Sequence, residues 1–182
     1  MSPDLPLNLT PKAKSALSTQ SYAPATVLDG VMTHELPHFI DDGGTFIEVA
    51  RLTDGWHDWL PETQAKQVSF SQMSPGVIKG FHLHFHQDDV WFIPPSSLML
   101  IGLYDARQDS KTAGLSQRLV MGGGKARLLK IPRGVAHGVR NVGSQDGFIF
   151  YFVSQQFDAK APDEHRLPFD FLGADFFELT KG

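Results

Sequence analysis

The sequence predicts an all-β barrel or sandwich, and three observations carry that expectation. From Thr45 onward the chain is a series of short runs dense in Val, Ile, Phe, Leu and Trp. Gly, Pro, Asp and Ser punctuate the runs, and no long helical period lies between them. The runs cover 45–52, 67–73, 76–85, 90–94, 98–105, 116–121, 126–131 and 147–154. Seven or eight strands without connecting helices leave a sandwich, jelly roll or closed barrel.

The chain has 182 residues, 41% hydrophobic and 20% charged, enough for one domain with an arm. Residues 1–27, rich in Pro, Ser, Thr and Ala, read as the arm, and 28–182 as the barrel domain. Within the arm, Thr10 before Pro11 is a helix start, N-cap then first turn. The closing ADFFELTKG forms a last helical turn, or its paired phenylalanines cap the barrel or meet a partner chain.

A formal net charge of −4 argues against a nucleic-acid partner, which needs a concentrated basic surface. The absence of cysteine excludes disulfides, thiolate metal sites and cysteine nucleophiles. No apolar segment approaches the length that spans a bilayer, and the N-terminus lacks a secretion signal pattern, so no membrane partner and a cytoplasmic location are expected.

The segment from Gly76 to Asp89 carries the chemistry. Alternation along a strand turns Ile78, Gly80, His82, His84 and His86 to one face and Val77, Lys79, Phe81, Leu83 and Phe85 to the other. Asp89 follows the strand, and a distant IPRGVAHGVRN presents His137 after a Pro-x-Gly turn. Trp56, Trp59 and Trp91 read as packing residues, and His34, His38, His57 and His165 as surface residues.

Gly76, His82, His84 and Asp89 resemble the first cupin motif, with Ser96 in place of its closing glycine. Pro132, Gly134, His137 and Asn141 resemble the second. The resemblance implies a cupin double-stranded β-helix, a jelly-roll barrel. In metal-binding cupins the matching residues, His82, His84, Asp89 and His137, would hold one divalent transition metal.

A closer resemblance spans residues 41–170. Asp41 to Glu48, Gly76 to His82, Asp105 to Gly114 and Ile131 to Gly138 are similar, in order, to segments of the dTDP-4-dehydrorhamnose 3,5-epimerase family. That likeness implies an epimerase or isomerase acting on a nucleotide-linked 4-keto sugar without a cofactor. It removes a proton next to the ketone, passes through an enolate and returns a proton.

The likeness assigns His82 as base, Lys79 as the cation at the enolate oxygen where the family has arginine, and Asp170 as carboxylate partner, with Asp175 a second candidate. Glu48, Ser71, His84, Arg107, His137 and Phe157 are the expected substrate-binding residues. For Lys79 and His82 to share the site, the strand needs a bulge near Gly80.

Departures make this a divergent member. Gly43 and Asp89 stand where the family has cations, so diphosphate binding falls to Arg107, Arg133, Arg140 and Lys130. Phe157 stands at the family's proton-donating tyrosine and has no exchangeable proton, which leaves Tyr151 or a water as donor. One-centre epimerisation, ketone isomerisation, a metal-dependent cupin enzyme and a non-catalytic sugar-binding module are the competing readings. The family also implies a homodimer formed through exchanged edge strands.

Overall fold

The computed structural model describes residues 7–20, 22, 26–60 and 62–179, with the side chain of Trp56 outside the described set. The first element is α1 (Pro11–Ala16), with Thr10 as N-cap accepting from the Ala13 amide. The described residues before Leu28 bury no side chain, and Leu28 is the first to enter the core.

Fourteen strands follow among the described residues. β1 (Met32–Glu35), β2 (Phe39–Asp41), β3 (Gly44–Phe46), β4 (Leu52–Thr53) and β5 (Trp56–His57) are short. The barrel is built mainly from β6 (Gln67–Met73), β7 (Ile78–Leu83), β8 (Asp89–Ile93), β9 (Leu98–Asp105), β10 (Ser116–Gly122), β11 (Arg127–Ile131), β12 (Val135–Asn141) and β13 (Gly147–Val153), with β14 (His165–Arg166) last. Two five-stranded antiparallel sheets result, in the orders β1-β11-β8-β13-β6 and β10-β9-β12-β7-β14. This is the expected jelly roll.

Three apolar clusters hold it together. Between the sheets pack Met73, Trp91, Ile93, Met99, Ile101, Leu103, Leu129 and Ile149. Outside the first sheet, Val90, Phe92, Leu128 and Phe152 are covered by Leu36, Leu60 and the 47–50 stretch. Outside the second sheet, Phe81, Leu100 and Ala136 are covered by Phe177. Strands covered on both faces lose the alternation of a half-exposed strand, which is why all five residues of β8 are buried.

The C-terminal phenylalanines cap the barrel at a glycine pair. Gly102 and Gly138 are cross-strand partners, and a Cβ on Gly102 would lie 2.5 Å from Phe176 and 2.8 Å from Phe177. The missing side chains make the depression into which the rings fit.

Three expectations are corrected. The 45–52 run is not a barrel strand: its start pairs in the exposed β2–β3 hairpin, its last residue Leu52 pairs with His57 in β4–β5, and Ile47, Val49 and Ala50 between them pack across the first sheet. β12, unmarked by any apolar run, is a central strand, because Ala136 and Gly138 face a packed layer while His137 and Val139 face inward. His57 is buried, not exposed, with Trp59 and Phe152 against its ring. Trp91 is a core residue, as expected.

Candidate active site

A cavity of about 660 Å³ opens between the two sheets. Gln67 and Ser69 of β6, Asp89 and Trp91 of β8 and Tyr151 of β13 form one wall. Lys79 and His82 of β7 and His137 of β12 form the other, with His84 just beyond β7. The 155–164 stretch supplies the rim.

The local irregularity that puts Lys79 and His82 together is a bulge. His137 pairs with His82 and Val139 with Lys79, so Gly80 and Phe81 of β7 stand opposite the single Gly138 of β12. Gly80 makes this possible: its φ is +130°, and a Cβ there would meet Gly138 Cα at 2.5 Å and the His137 carbonyl at 2.9 Å. Strict alternation fails at this point, and both side chains line the cavity.

His82 is partly exposed, with Nδ1 4.0 Å from Glu164 Oε1. Burial lowers its pKa and Glu164 opposes that shift. Glu164 is bonded to Arg166 at 2.7 Å, and this contact first, with His82 adding, holds its carboxyl below the usual range. Lys79 Nζ donates to Ser71 Oγ at 2.8 Å and to the Gln72 carbonyl at 3.4 Å. Burial raises the Tyr151 hydroxyl pKa, against the effect of its hydrogen bond with the same Ser71. Ser71 thus joins a cation of one sheet to a phenol of the other.

Deeper in, His84, Asp89 and His137 are all buried, and one donor atom from each lies within 4.8 Å of the others. Asp89 Oδ2 is 3.7 Å from His137 Nε2 and 4.0 Å from His84 Nε2. The same oxygen accepts from Trp91 Nε1 at 3.0 Å, and Oδ1 from Gln87 at 2.7 Å. His84 Nδ1 bonds the Asp163 carbonyl, and His137 Nδ1 the Val135 carbonyl at 3.0 Å. Burial pushes the His137 pKa down.

The Asp163 carboxylate accepts the amides of Phe85, His86 and Gln87 at 2.7–2.9 Å, which ties the rim to the turn after β7. Burial would raise its pKa, and these amides bring it below the usual range.

Of the residues expected at the site, His82, Lys79, His84, His137 and Phe157 line the cavity, and Ser71 stands one bond behind it. Phe157 is on the rim and 63% exposed. The others lie elsewhere. Asp170 is exposed in a turn closed by its carbonyl to Gly173; the carboxylate within 4.0 Å of His82, among the described residues, is Glu164. Arg107 is consumed by Asp105, Ser110 and the Asp29 carbonyl, and Glu48 by Arg51. His82 also stands outside the cluster of His84, Asp89 and His137, so the four-ligand expectation contracts to three.

Glu164 and Asp163 escaped the sequence reading because folding back of the post-β13 stretch brings them in. Both lie after the last apolar run, where no strand spacing fixes the direction of a side chain. Tyr151, held in reserve for the donor role, is part of the wall.

Comparison with known proteins agrees with this architecture. The chain is 40% identical over 144 residues to the spore coat polysaccharide biosynthesis protein SpsL of Bacillus subtilis, covering 79% of this chain and 91% of that one. It is 28% identical over 130 residues to the probable low-salt glycan biosynthesis epimerase Agl13 of Haloferax volcanii, covering 71% and 81%. The structure of a dTDP-6-deoxy-D-glucose-3,5-epimerase, RmlC, from Legionella pneumophila in complex with dTDP-4-keto-L-rhamnose shares the fold. Its TM-score is 0.68 at 22% identity, over 80% of this chain and 76% of that one. The family profile of dTDP-4-dehydrorhamnose 3,5-epimerase matches residues 25–170. With four fifths of its length matched by the family profile and a relative 40% identical over most of both chains, the chain belongs to the dTDP-4-dehydrorhamnose 3,5-epimerase family.

Proposed function

We propose that this protein epimerises a nucleotide-linked 4-keto sugar at a carbon next to the ketone, with His82 as base and Tyr151 as acid. The observation that carries the reading is their placement on facing sheets of one cavity, His82 on β7 and Tyr151 on β13. Inversion requires a proton to leave one face of the ring and another to arrive on the opposite face, so the two groups belong on opposite walls.

A carboxylate at His82 Nδ1 favours the tautomer protonated there, which leaves Nε2 to accept the substrate proton. The electron pair of the broken C–H bond moves to the ketone oxygen, and Lys79 is the cation available for that charge. The Tyr151 hydroxyl then gives its proton to carbon, and Ser71, bonded to both Lys79 and Tyr151, connects the two groups. Phe157 on the rim offers a ring face to the base or sugar of the substrate.

Among the described lining residues Lys79 is the one Lys or Arg, against Asp89, Asp158, Asp163 and Glu164. Diphosphate recognition therefore draws on neutral donors such as Gln67, Gln155 and Gln156 and on a second protomer. A homodimer suits the exposed apolar side chains of Phe39, Ile40 and Phe46 on the β2–β3 hairpin and of Val68 and Phe70 on edge strand β6. Sedimentation of the purified chain tests it: a monomer at micromolar concentration would remove the dimer from this reading. No described helix is long and apolar enough to cross a membrane, and we assign the enzyme to the cytoplasm.

The direct test is incubation with dTDP-4-keto-6-deoxyglucose in heavy water. Deuterium at C3, C5 or both is expected, and the pattern distinguishes one-centre from two-centre chemistry. Absence of exchange at both carbons would remove this substrate from the reading.

A further inference from the structure

We infer that His84, Asp89 and His137 form a binding site for one divalent transition-metal ion at the base of the cavity, and that His82 is not one of its ligands. His84 and His137 each have Nδ1 against a backbone carbonyl, which fixes the ring so that Nε2 is the atom turned to the cavity. Both Nε2 atoms face Asp89 Oδ2. Three potential ligand atoms, one from each residue, converge within 4.8 Å of one another.

The spacings say what fits between. At 3.7 and 4.0 Å the Nε2–Oδ2 pairs are too long for direct hydrogen bonds. Ligands sharing an ion at about 2.1 Å lie roughly 3.0 to 3.5 Å apart, so a modest contraction closes the set around a cation. The outer contacts are those a metal site requires. A carbonyl behind each imidazole holds the ring, and Trp91 and Gln87 orient the carboxylate.

Two imidazole nitrogens and one carboxylate oxygen suit Zn(II), Fe(II), Mn(II) or Ni(II). Enzymes of this family generally work without a cofactor, so the site would distinguish this chain from them. An ion there would supply a Lewis acid within the cavity that His82 also lines.

This inference concerns binding and does not depend on the epimerase reading. Tag-free protein prepared without chelator is assayed for metal by mass spectrometry. It is then stripped and titrated with Co(II), followed by visible absorption, and with Zn(II), followed by melting temperature. About one equivalent of Co(II) and a raised melting temperature with Zn(II) are expected. His84→Gln, His137→Gln and Asp89→Asn should each weaken binding by at least about tenfold, whereas His82→Asn should bind as the unaltered protein does.

Circular dichroism without metal identifies any variant that fails to fold. If all three do, the stoichiometry of the unaltered protein and the His82→Asn titration decide the matter. Failure to bind Co(II) or Zn(II), or binding that folded His84→Gln and His137→Gln variants retain, overturns the site. Loss of binding in a folded His82→Asn overturns the three-ligand assignment. Deuterium exchange by the stripped protein is scored separately, so loss of the metal site leaves the epimerase test standing.

Discussion

Two buried carboxylates, Asp105 and Asp89, have opposite hydrogen-bond accounts. Asp105, fully buried at the end of β9, receives the Arg107 guanidinium at 2.8 and 2.9 Å, the Arg107 amide at 3.1 Å, Ser110 at 2.5 Å and Thr112 at 2.6 Å. Every partner is a donor. Asp89 receives Trp91 and Gln87 and otherwise faces His137 Nε2 at 3.7 Å and His84 Nε2 at 4.0 Å, both beyond hydrogen-bond length. The first carboxylate is saturated, and what it does is close the 105–115 loop and, through Arg107, fasten the carbonyl of Asp29. The second retains acceptor capacity beside a cavity. Saturation marks a structural group, and a deficit of donors marks one with capacity for a ligand.

Variants at the two ends should separate activity from stability. The largest effect is expected at His82: His82→Asn should lower deuterium exchange by about 10²–10⁴, the usual contribution of a general base. Its melting temperature should stay near that of the parent, because the side chain is partly exposed. Tyr151→Phe should follow, with a loss of roughly 10² in kcat and little change in melting temperature. Equal exchange by Tyr151→Phe and the parent would transfer the donor role to a water.

Asp105→Asn should reverse the pattern. Breaking a buried pair strands the Arg107 charge and costs about 3 kcal/mol, read as a lowered urea midpoint. Exchange per folded molecule should not change, since neither residue lines the cavity. Glu164→Gln should have a smaller effect than these, about tenfold in kcat with KM unchanged, if its role is to orient the His82 ring. A KM change alone would instead make Glu164 a substrate contact.

The contrast also marks what a sequence can disclose. His82 and His84 were legible from strand alternation, and Asp89 and His137 joined them through the resemblance to the two cupin motifs, whose local spacings survive folding. The alternation rule turned Lys79 the wrong way, since it contains no term for the bulge that Gly80 permits against Gly138. Arg107 was expected at the site and Glu164 was not, and both outcomes have a different reason. Charge type is visible in sequence, but whether a charge is already consumed depends on partners brought up by tertiary packing. Arg107 meets Asp105 and the Asp29 carbonyl, and Glu164 reaches His82 only because the rim folds back over β7. His57 was misplaced on the same ground, as its burial depends on Trp59 and Phe152.

The smallest expected effect tests the saturated carboxylate by pH. Burial alone would raise the Asp105 pKa, but bonds from Arg107, Ser110 and Thr112 outweigh it and hold the carboxyl well below its ordinary 3.8. The unfolded chain therefore binds this proton more readily than the folded one, and acid favours unfolding. The contribution is present in full above the ordinary carboxylate range. It declines as pH falls through 3.8 toward the folded value, by at most about 1.4 kcal/mol per pH unit. Asp105→Asn has no such proton to gain, so the stability gap between parent and variant should be constant from neutral pH to mildly acidic conditions and narrow below that. Urea midpoints at a series of pH values measure the gap. A constant gap down to the acid limit of folding would show that the Asp105 bonds stabilise by shape alone, without favouring the ionised carboxylate.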